Sequence, residues 1–184
     1  MTTKWMMYAK KADFNGIGKQ YGISPVTARI IRNRDVVGDE ALTRYLRGTL
    51  KDLYSPHLLL HMDDAVALLS EKIQGGSAVR IVGDYDIDGV CSTYLLYRAL
   101  KRVGAKVDYE IPDRVKDGYG INEQIIEAAA ADGVDTVLTC DNGIAAVSQI
   151  ARAKELGMTV IVTDHHDILC EDGKEMVPPA DVIV

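Results

Sequence analysis

An α/β fold is the architecture this sequence predicts: a parallel β-sheet flanked by helices, with a short helical extension ahead of it. Three observations carry that expectation. From Gly76 onward, short β-rich runs alternate with helical stretches. Glycines mark the turns between them, at Gly83, Gly104, Gly133 and Gly157. Ahead of Gly75-Gly76 the pattern is helical and irregular, so residues 1–75 read as a helical N-terminal extension and 76–184 as the sheet domain.

Each element has its own signal. Ser24-Pro25 predicts a helix start, a serine cap followed by proline at the first helical position, with the helix running through Val26, Ile30 and Ile31 to about Asn33. Asp39 is expected to cap a second helix that stops at Gly48. A third runs from Met62 to Gln74 and carries Val66, Leu68, Leu69 and Ile73. The strands follow at Ala78-Gly83, Lys106-Ile111, Asp135-Cys140 and Met158-Thr163, with Val182-Val184 opening a fifth. Between them lie helices over Val90-Val103, from the Asn122 cap to near Gly133, and over Ile144-Leu156. The chain stops within an apparent strand, which suggests a fragment of a longer protein.

Composition narrows the class. The 184 residues are 47% hydrophobic and 26% charged, ordinary values for a globular domain with its own core. The three cysteines are isolated and odd in number, which fits a reducing compartment. No apolar run approaches the ~20 residues needed to span a bilayer, and the start, Met1-Thr2-Thr3-Lys4-Trp5, has no signal-peptide core. A cytoplasmic protein without a membrane partner is therefore expected. The net charge of −6 argues against simple non-specific DNA binding, which needs a basic surface. It leaves a nuclease open, because aspartates that hold divalent cations make the formal charge more negative than the loaded protein's.

The acids fall in a pattern. In a parallel α/β sheet, ligands bind at the carboxyl ends of the strands. Three predicted strands end in metal-ligand chemistry: Asp84-Tyr85-Asp86-Ile87-Asp88-Gly89, Asp141-Asn142-Gly143, and Asp164-His165-His166-Asp167. On an extended segment Asp84, Asp86 and Asp88 would share one side, and Gly89 would allow a tight turn into the next helix. Carboxylates with a few imidazoles suit manganese or magnesium better than zinc. A pair of such ions ~3.5–4 Å apart can serve an in-line phosphoryl displacement. Singly, each cluster has a plainer reading: a helix cap, a turn, a surface histidine pair. A calcium-binding loop is excluded because the position that needs glutamate is Leu95. Convergence of all three clusters on one edge is what the plainer readings leave unexplained.

These residues resemble the DHH family of phosphoesterases. Asp164-His165-His166 is similar to its signature, Asp84-Tyr85-Asp86-Ile87-Asp88-Gly89 to its first motif and Asp141-Asn142-Gly143 to its second. Gly83-Val90, Ile111-Pro112-Asp113-Arg114 with Asp117-Asn122, Val162-His166, and the leading Lys4-Trp5 and Gly22-Pro25 look most like the RecJ-type exonucleases within that family. The resemblance implies two Mn²⁺ or Mg²⁺ ions held by Asp86, Asp88, Asp141 and His165, with Asp84 another acidic position of the site. It implies that His166 contacts the scissile phosphate and that Asp164 orients a histidine. It implies hydrolysis of single-stranded DNA from the 5′ end, in DNA repair and recombination. A further acidic ligand, a DHH-associated domain and an OB-like domain would lie beyond residue 184. On the Ile111-Asn122 loop, Arg114, Lys116, Tyr119 and Asn122 are candidate strand contacts, with Gly118-Tyr119-Gly120 as a mere structural turn left equally open. Two alternatives remain: another DHH phosphoesterase acting on short or cyclic nucleotides, and a DHH-fold binding module without catalysis.

Overall fold

The computed structural model describes residues 3–4, 6, 8 and 10–184. Trp5, and with it part of the leading segment used in the resemblance, lies outside them. The chain separates into two compact units, Met1–Ser55 and Pro56–Val184.

The first unit holds helices α1 (Phe14–Tyr21), α2 (Pro25–Asn33) and α3 (Asp39–Arg47) and a 3₁₀ turn at Leu50–Asp52. Ser24 caps α2 as expected, its hydroxyl accepting from the Thr27 N–H at 3.0 Å. α3 departs from expectation: Gly38 occupies the cap and Asp39 is the first helical residue, where its charge faces the positive end of the helix. α1 was not expected, because Gly16 and Gly18 interrupt its apolar pattern. Asp13 nevertheless starts it by accepting from the Gly16 N–H at 2.9 Å. Ala28, Ile31 and Leu42 are buried in this unit.

The second unit begins well before the change of pattern at Gly75-Gly76. Its helix α4 (Met62–Gln74) places Ala65 in the core beside Val79 and Ile81, with Leu68, Leu69 and Ile73 packed around it. That packing joins α4 to the sheet, so the division falls between Ser55 and Pro56.

The sheet is parallel and flanked by helices, as expected. Strands β1 (Ala78–Val82), β2 (Lys106–Glu110), β3 (Thr136–Cys140), β4 (Thr159–Thr163) and β7 (Val182–Ile183) lie in the order β2-β1-β3-β4-β7. All four pairings are parallel, with Ile81 opposite Leu138 and Leu138 opposite Ile161. The crossovers are α5 (Ile87–Arg102), α6 (Glu123–Ala131) and α7 (Val147–Glu155). Alternation along the strands sends Val79, Ile81, Val107, Leu138, Cys140 and Ile161 to one core, shared with α4 and α5. Val82, Val137, Val160 and Val162 go to the other, with Ile125, Ile126 and Ala129 of α6 and Ile150 and Ala153 of α7. Both faces of the central strands β1, β3 and β4 are covered, which is why they read as nearly continuous apolar runs, whereas the edge strand β2 (KVDYE) is largely exposed. Side chains such as Ile126 and Ile150, 0% exposed, each contribute about 1.5–3 kcal/mol of burial.

One element is additional. β5 (Leu169–Glu171) and β6 (Lys174–Met176) form an antiparallel hairpin. Asp172 and Gly173 join them with φ of 50° and 77°, the left-handed pair that a two-residue hairpin turn requires. Among the described residues no helix is long and apolar enough to cross a membrane.

Candidate active site

β1 has crossovers leading to opposite sides of it, to β2 through α5 and onward to β3 through α6, so the sheet has its switch point between β1 and β3. Asp84 follows β1 and Asp141 follows β3, so both stand at that point.

Asp84 is 1% exposed, and its Oδ1 has no hydrogen-bond partner. Asp86 caps α5: its Oδ1 accepts from the N–H groups of Asp88 (2.9 Å) and Gly89 (3.0 Å). The Gly89 and Asp88 amides hold the Asp86 carboxyl below its ordinary range. This cap corrects the expected extended run of alternating acids. The helix begins at Ile87, Asp88 falls in its first turn, and its carboxylate belongs to neither of the ligand groups described below. Gly89 has a different role from the tight turn expected of it. It is buried inside α5, and a Cβ there would lie 2.4 Å from the Asp84 carbonyl oxygen, so glycine lets the helix close onto the strand end.

At the end of β3, Asp141 adopts φ 61°, a left-handed conformation that costs roughly 1–2 kcal/mol. Its N–H donates to the Thr163 carbonyl at 3.1 Å, tying the bend to β4. His165 Nε2 donates to Asp141 Oδ1 at 2.8 Å. Burial pushes the Asp141 carboxyl above its ordinary range, partly opposed by the His165 hydrogen bond. Asn142, read from sequence only as part of a turn, is 1% exposed. Its Nδ2 donates to the carbonyls of Val82 and Cys140, both at 3.0 Å, and so clasps the ends of β1 and β3 together.

After β4, Asp164 spends both oxygens inside the protein. Oδ2 accepts from the Ile144 N–H at 2.9 Å, and Oδ1 accepts from the His165 N–H (2.7 Å), the His166 N–H (3.2 Å) and His166 Nδ1 (2.7 Å). Burial alone would raise its pKa, but the Ile144 amide and the His166 ring outweigh it and hold it low. Through that bond the Asp164 carboxylate orients the His166 ring. The same bond from Asp164 raises the His166 pKa and leaves Nε2 as the ring's outward nitrogen.

The Ile111-Asn122 loop reaches this rim in part. Gly118 and Gly120, with φ of 78° and 70°, bend the chain around Tyr119. Its hydroxyl lies 3.0 Å from His166 Nε2. Burial, then the surrounding carboxylates of Asp164, Asp84, Asp141 and Asp86, push that hydroxyl up to about 12, so it keeps its proton, which it donates to the Asp141 carbonyl at 3.4 Å, and its oxygen is free to accept from His166 Nε2. The Tyr119 ring meets Tyr85 and His166 edge-on, at 6.3 and 5.7 Å between centroids. The Arg114 guanidinium sits 5.3 Å from the Tyr85 ring centre. Tyr85 is thus a site neighbour that the sequence reading passed over, hidden between the two aspartates that drew attention. Lys116 is exposed. Asn122 Oδ1 caps α6 by accepting from the Ile125 N–H at 2.9 Å, while its buried Nδ2 has no hydrogen-bond partner.

The ligand atoms fall into two groups. Asp84, Asp86 and Asp141 each offer one oxygen within 4.8 Å of the others, and Asp141, His165 and His166 do the same with oxygen and nitrogen. Three carboxylates so close repel one another unless a cation is shared among them. The unpartnered buried oxygen of Asp84 is a ready ligand atom, and the oxygen–imidazole donor set fits a manganese- or magnesium-like ion. Asp88 is not part of that set.

A parallel sheet whose switch point gathers aspartates and histidines defines a class, and the family comparison gives it a name: residues 78–184 match the DHH family, N-terminal domain, and the chain belongs to that family. Within it the chain is similar to proteins named single-stranded-DNA-specific exonuclease RecJ. It is 38% identical over 149 residues to the one from Bacillus subtilis (strain 168), covering 81% of this chain and 19% of that protein. It is 38% identical over 169 residues to the one from Haemophilus influenzae (strain Rd), covering 91% and 28%. The chain therefore spans less than a third of the length of these curated relatives. Two crystal structures share the fold. One is exonuclease RecJ bound to manganese, with TM-score 0.58 and 37% identity, covering 65% of this chain and 29% of that one. The other is RecJ from Thermus thermophilus in complex with Mn²⁺, with TM-score 0.59 and 27% identity, covering 92% and 22%.

Proposed function

We propose that this chain carries the catalytic centre of a cytoplasmic 5′–3′ exonuclease for single-stranded DNA, acting in DNA repair and recombination with two Mn²⁺ or Mg²⁺ ions. The observation that carries the reading is the convergence of Asp84, Asp86, Asp141, His165 and His166 within reach of shared cations, with Asp141 common to both groups. The relatives' names and the manganese in their crystal structures support the substrate and the cofactor.

Asp84, Asp86, Asp141 and His165 would hold the metal, which when bound supplies Lewis-acid charge and an activated water for phosphodiester hydrolysis. Asp164 fixes the His166 ring through Nδ1, so Nε2 can present a proton to a phosphate oxygen at the rim. Tyr119 keeps its hydroxyl proton and meets that Nε2, lining the place where the scissile group would sit. Arg114 and Lys116 offer charge to flanking phosphates, and the Tyr85 and Tyr119 rings offer faces for a base.

The test is the complete protein, wild type and Asp141→Ala, on single-stranded DNA labelled at either end, with dinucleotides and duplex alongside. The variant should lose at least about 1,000-fold in rate, and the wild type should release label from the 5′ end first. Equal rates in the two proteins would overturn the reading. Preference for dinucleotides over long strands would move it to another DHH phosphoesterase.

A further inference from the structure

We propose that the outer face of α5, with the edge strand β2, is a track that receives single-stranded polynucleotide leading away from the catalytic rim; this rests on the nuclease reading above. A cavity of about 330 Å³ opens there, lined by Val90, Tyr94, Tyr97, Arg98, Tyr109 and Ile111. It touches the rim's own elements at both upper corners. Val90 follows the Asp86 cap within the first turn of α5, and Ile111 begins the loop that carries Arg114 and Tyr119. Tyr94 lies one turn beyond Val90 on α5, roughly 12 Å from the Asp86 cap at 1.5 Å per residue.

The surface has the chemistry of a base-stacking platform. Tyr94 and Tyr109 are 57% and 53% exposed. Tyr97 and Tyr109 meet edge-on with centroids 5.3 Å apart. Cations stand beside the rings: the Arg98 guanidinium is 5.5 Å from the Tyr94 centroid and donates to its hydroxyl at 2.6 Å, and Lys101 Nζ is 5.4 Å from the Tyr97 centroid. Rings that take any base, beside cations that take phosphate, are how single strands are held without sequence preference.

Alternation along β2 separates this face from its acids. Val107 turns into the α5 core and Tyr109 lies on the same side, whereas Asp108 and Glu110 turn to the other, where Asp108 accepts from Arg80. After Asp88 in its first turn, α5 carries no acid and three cations, Arg98, Lys101 and Arg102. In a chain of net charge −6, this is an apolar, cation-bordered strip that continues from the rim, which favours an anionic strand of bases over an acidic or purely apolar partner.

The experiment uses the complete protein with Tyr94→Ala/Tyr109→Ala and, separately, Arg98→Glu. Affinity for a labelled oligothymidylate is measured by anisotropy, and hydrolysis is measured on long strands and on a dinucleotide. Each variant should bind the long strand about tenfold or more weakly and cut the dinucleotide at the wild-type rate. Arg98→Glu should also flatten the salt dependence of binding. Ultraviolet cross-linking of the wild type to strands carrying 5-iodouracil should label Tyr94 or Tyr109, a readout that needs no variant. Unchanged long-strand affinity with no cross-link overturns the track while the nuclease reading stands. Unchanged strand affinity with a lost protein assembly overturns it in favour of a protein contact. A wild type that neither binds nor degrades single strands overturns both.

Discussion

The two ends of the sheet treat the same residue type in opposite ways. On the amino-terminal side, Asp135 pairs with Lys72 at 2.9 Å, Asp181 with Lys154 at 2.6 Å, and Asp132 with Arg80 at 3.0 Å. On the carboxyl-terminal side, Asp84, Asp86, Asp141 and Asp164 meet no lysine or arginine in a salt bridge among the described residues; imidazoles answer Asp141 and Asp164, and backbone amides answer Asp86. Carboxylates that serve the fold are given permanent cations. Carboxylates left together without one, with an orphaned oxygen on Asp84, hold electrostatic repulsion that a bound ion would relieve, and the left-handed backbone at Asp141 stands among them.

That contrast can be broken. After the loss expected for Asp141→Ala, the largest effect should come from the ion itself. Mn²⁺ at a hundred times its dissociation constant should stabilise the wild type by about 2.7 kcal/mol in denaturant unfolding, and Asp141→Ala should forfeit most of that gain. A wild type indifferent to Mn²⁺ would erase the difference between the two ends.

Asp164→Asn sharpens it on the same side. With His166 released from Nδ1, hydrolysis should fall about 10- to 100-fold, while calorimetry shows Mn²⁺ binding retained. Loss of metal binding instead would make Asp164 a ligand.

Arg80→Ala belongs to the other side. It removes the fork that bonds Asp108 and Asp132 at 2.7–3.0 Å, which should cost about 2 kcal/mol in thermal or denaturant unfolding and leave the rate of strand hydrolysis alone.

The smallest effect is a matter of pH. Burial would raise the Asp181 pKa, but Lys154 and the Val160 amide outweigh it and hold the folded value below the ordinary 3.8. Its contribution is therefore complete above 3.8 and lost as pH falls through and below that value. Asp181→Asn should make unfolding less sensitive to acid in that window, by up to about 1 kcal/mol. Parallel acid-unfolding curves for the two proteins would show Asp181 to be idle.

Much of the molecule was legible in local pattern, and the places where it was not share a cause. The helix at Met62–Gln74 was read with its observed bounds, because a 3.6-residue period needs no partner to be seen. The backbone at Asp88 was read as extended and is helical, because the two readings of Asp84–Asp88 differ only in where Asp86 spends its carboxylate. The hairpin at Asp172-Gly173 had a turn signal in its Asp-Gly pair, but its strands are only three residues each. α4 looked separate because nothing in its sequence names the strand it packs against.

What the sequence determined by itself was the alternation of strands and helices and the residue types at three strand ends, since propensity and capping act within a few residues. Only the tertiary structure decided which of those residues meet. Strand order placed β1 beside β3, Asn142 clasped their ends, and Asp164 turned inward to hold His166, because burial and long-range hydrogen bonds join positions far apart in the chain.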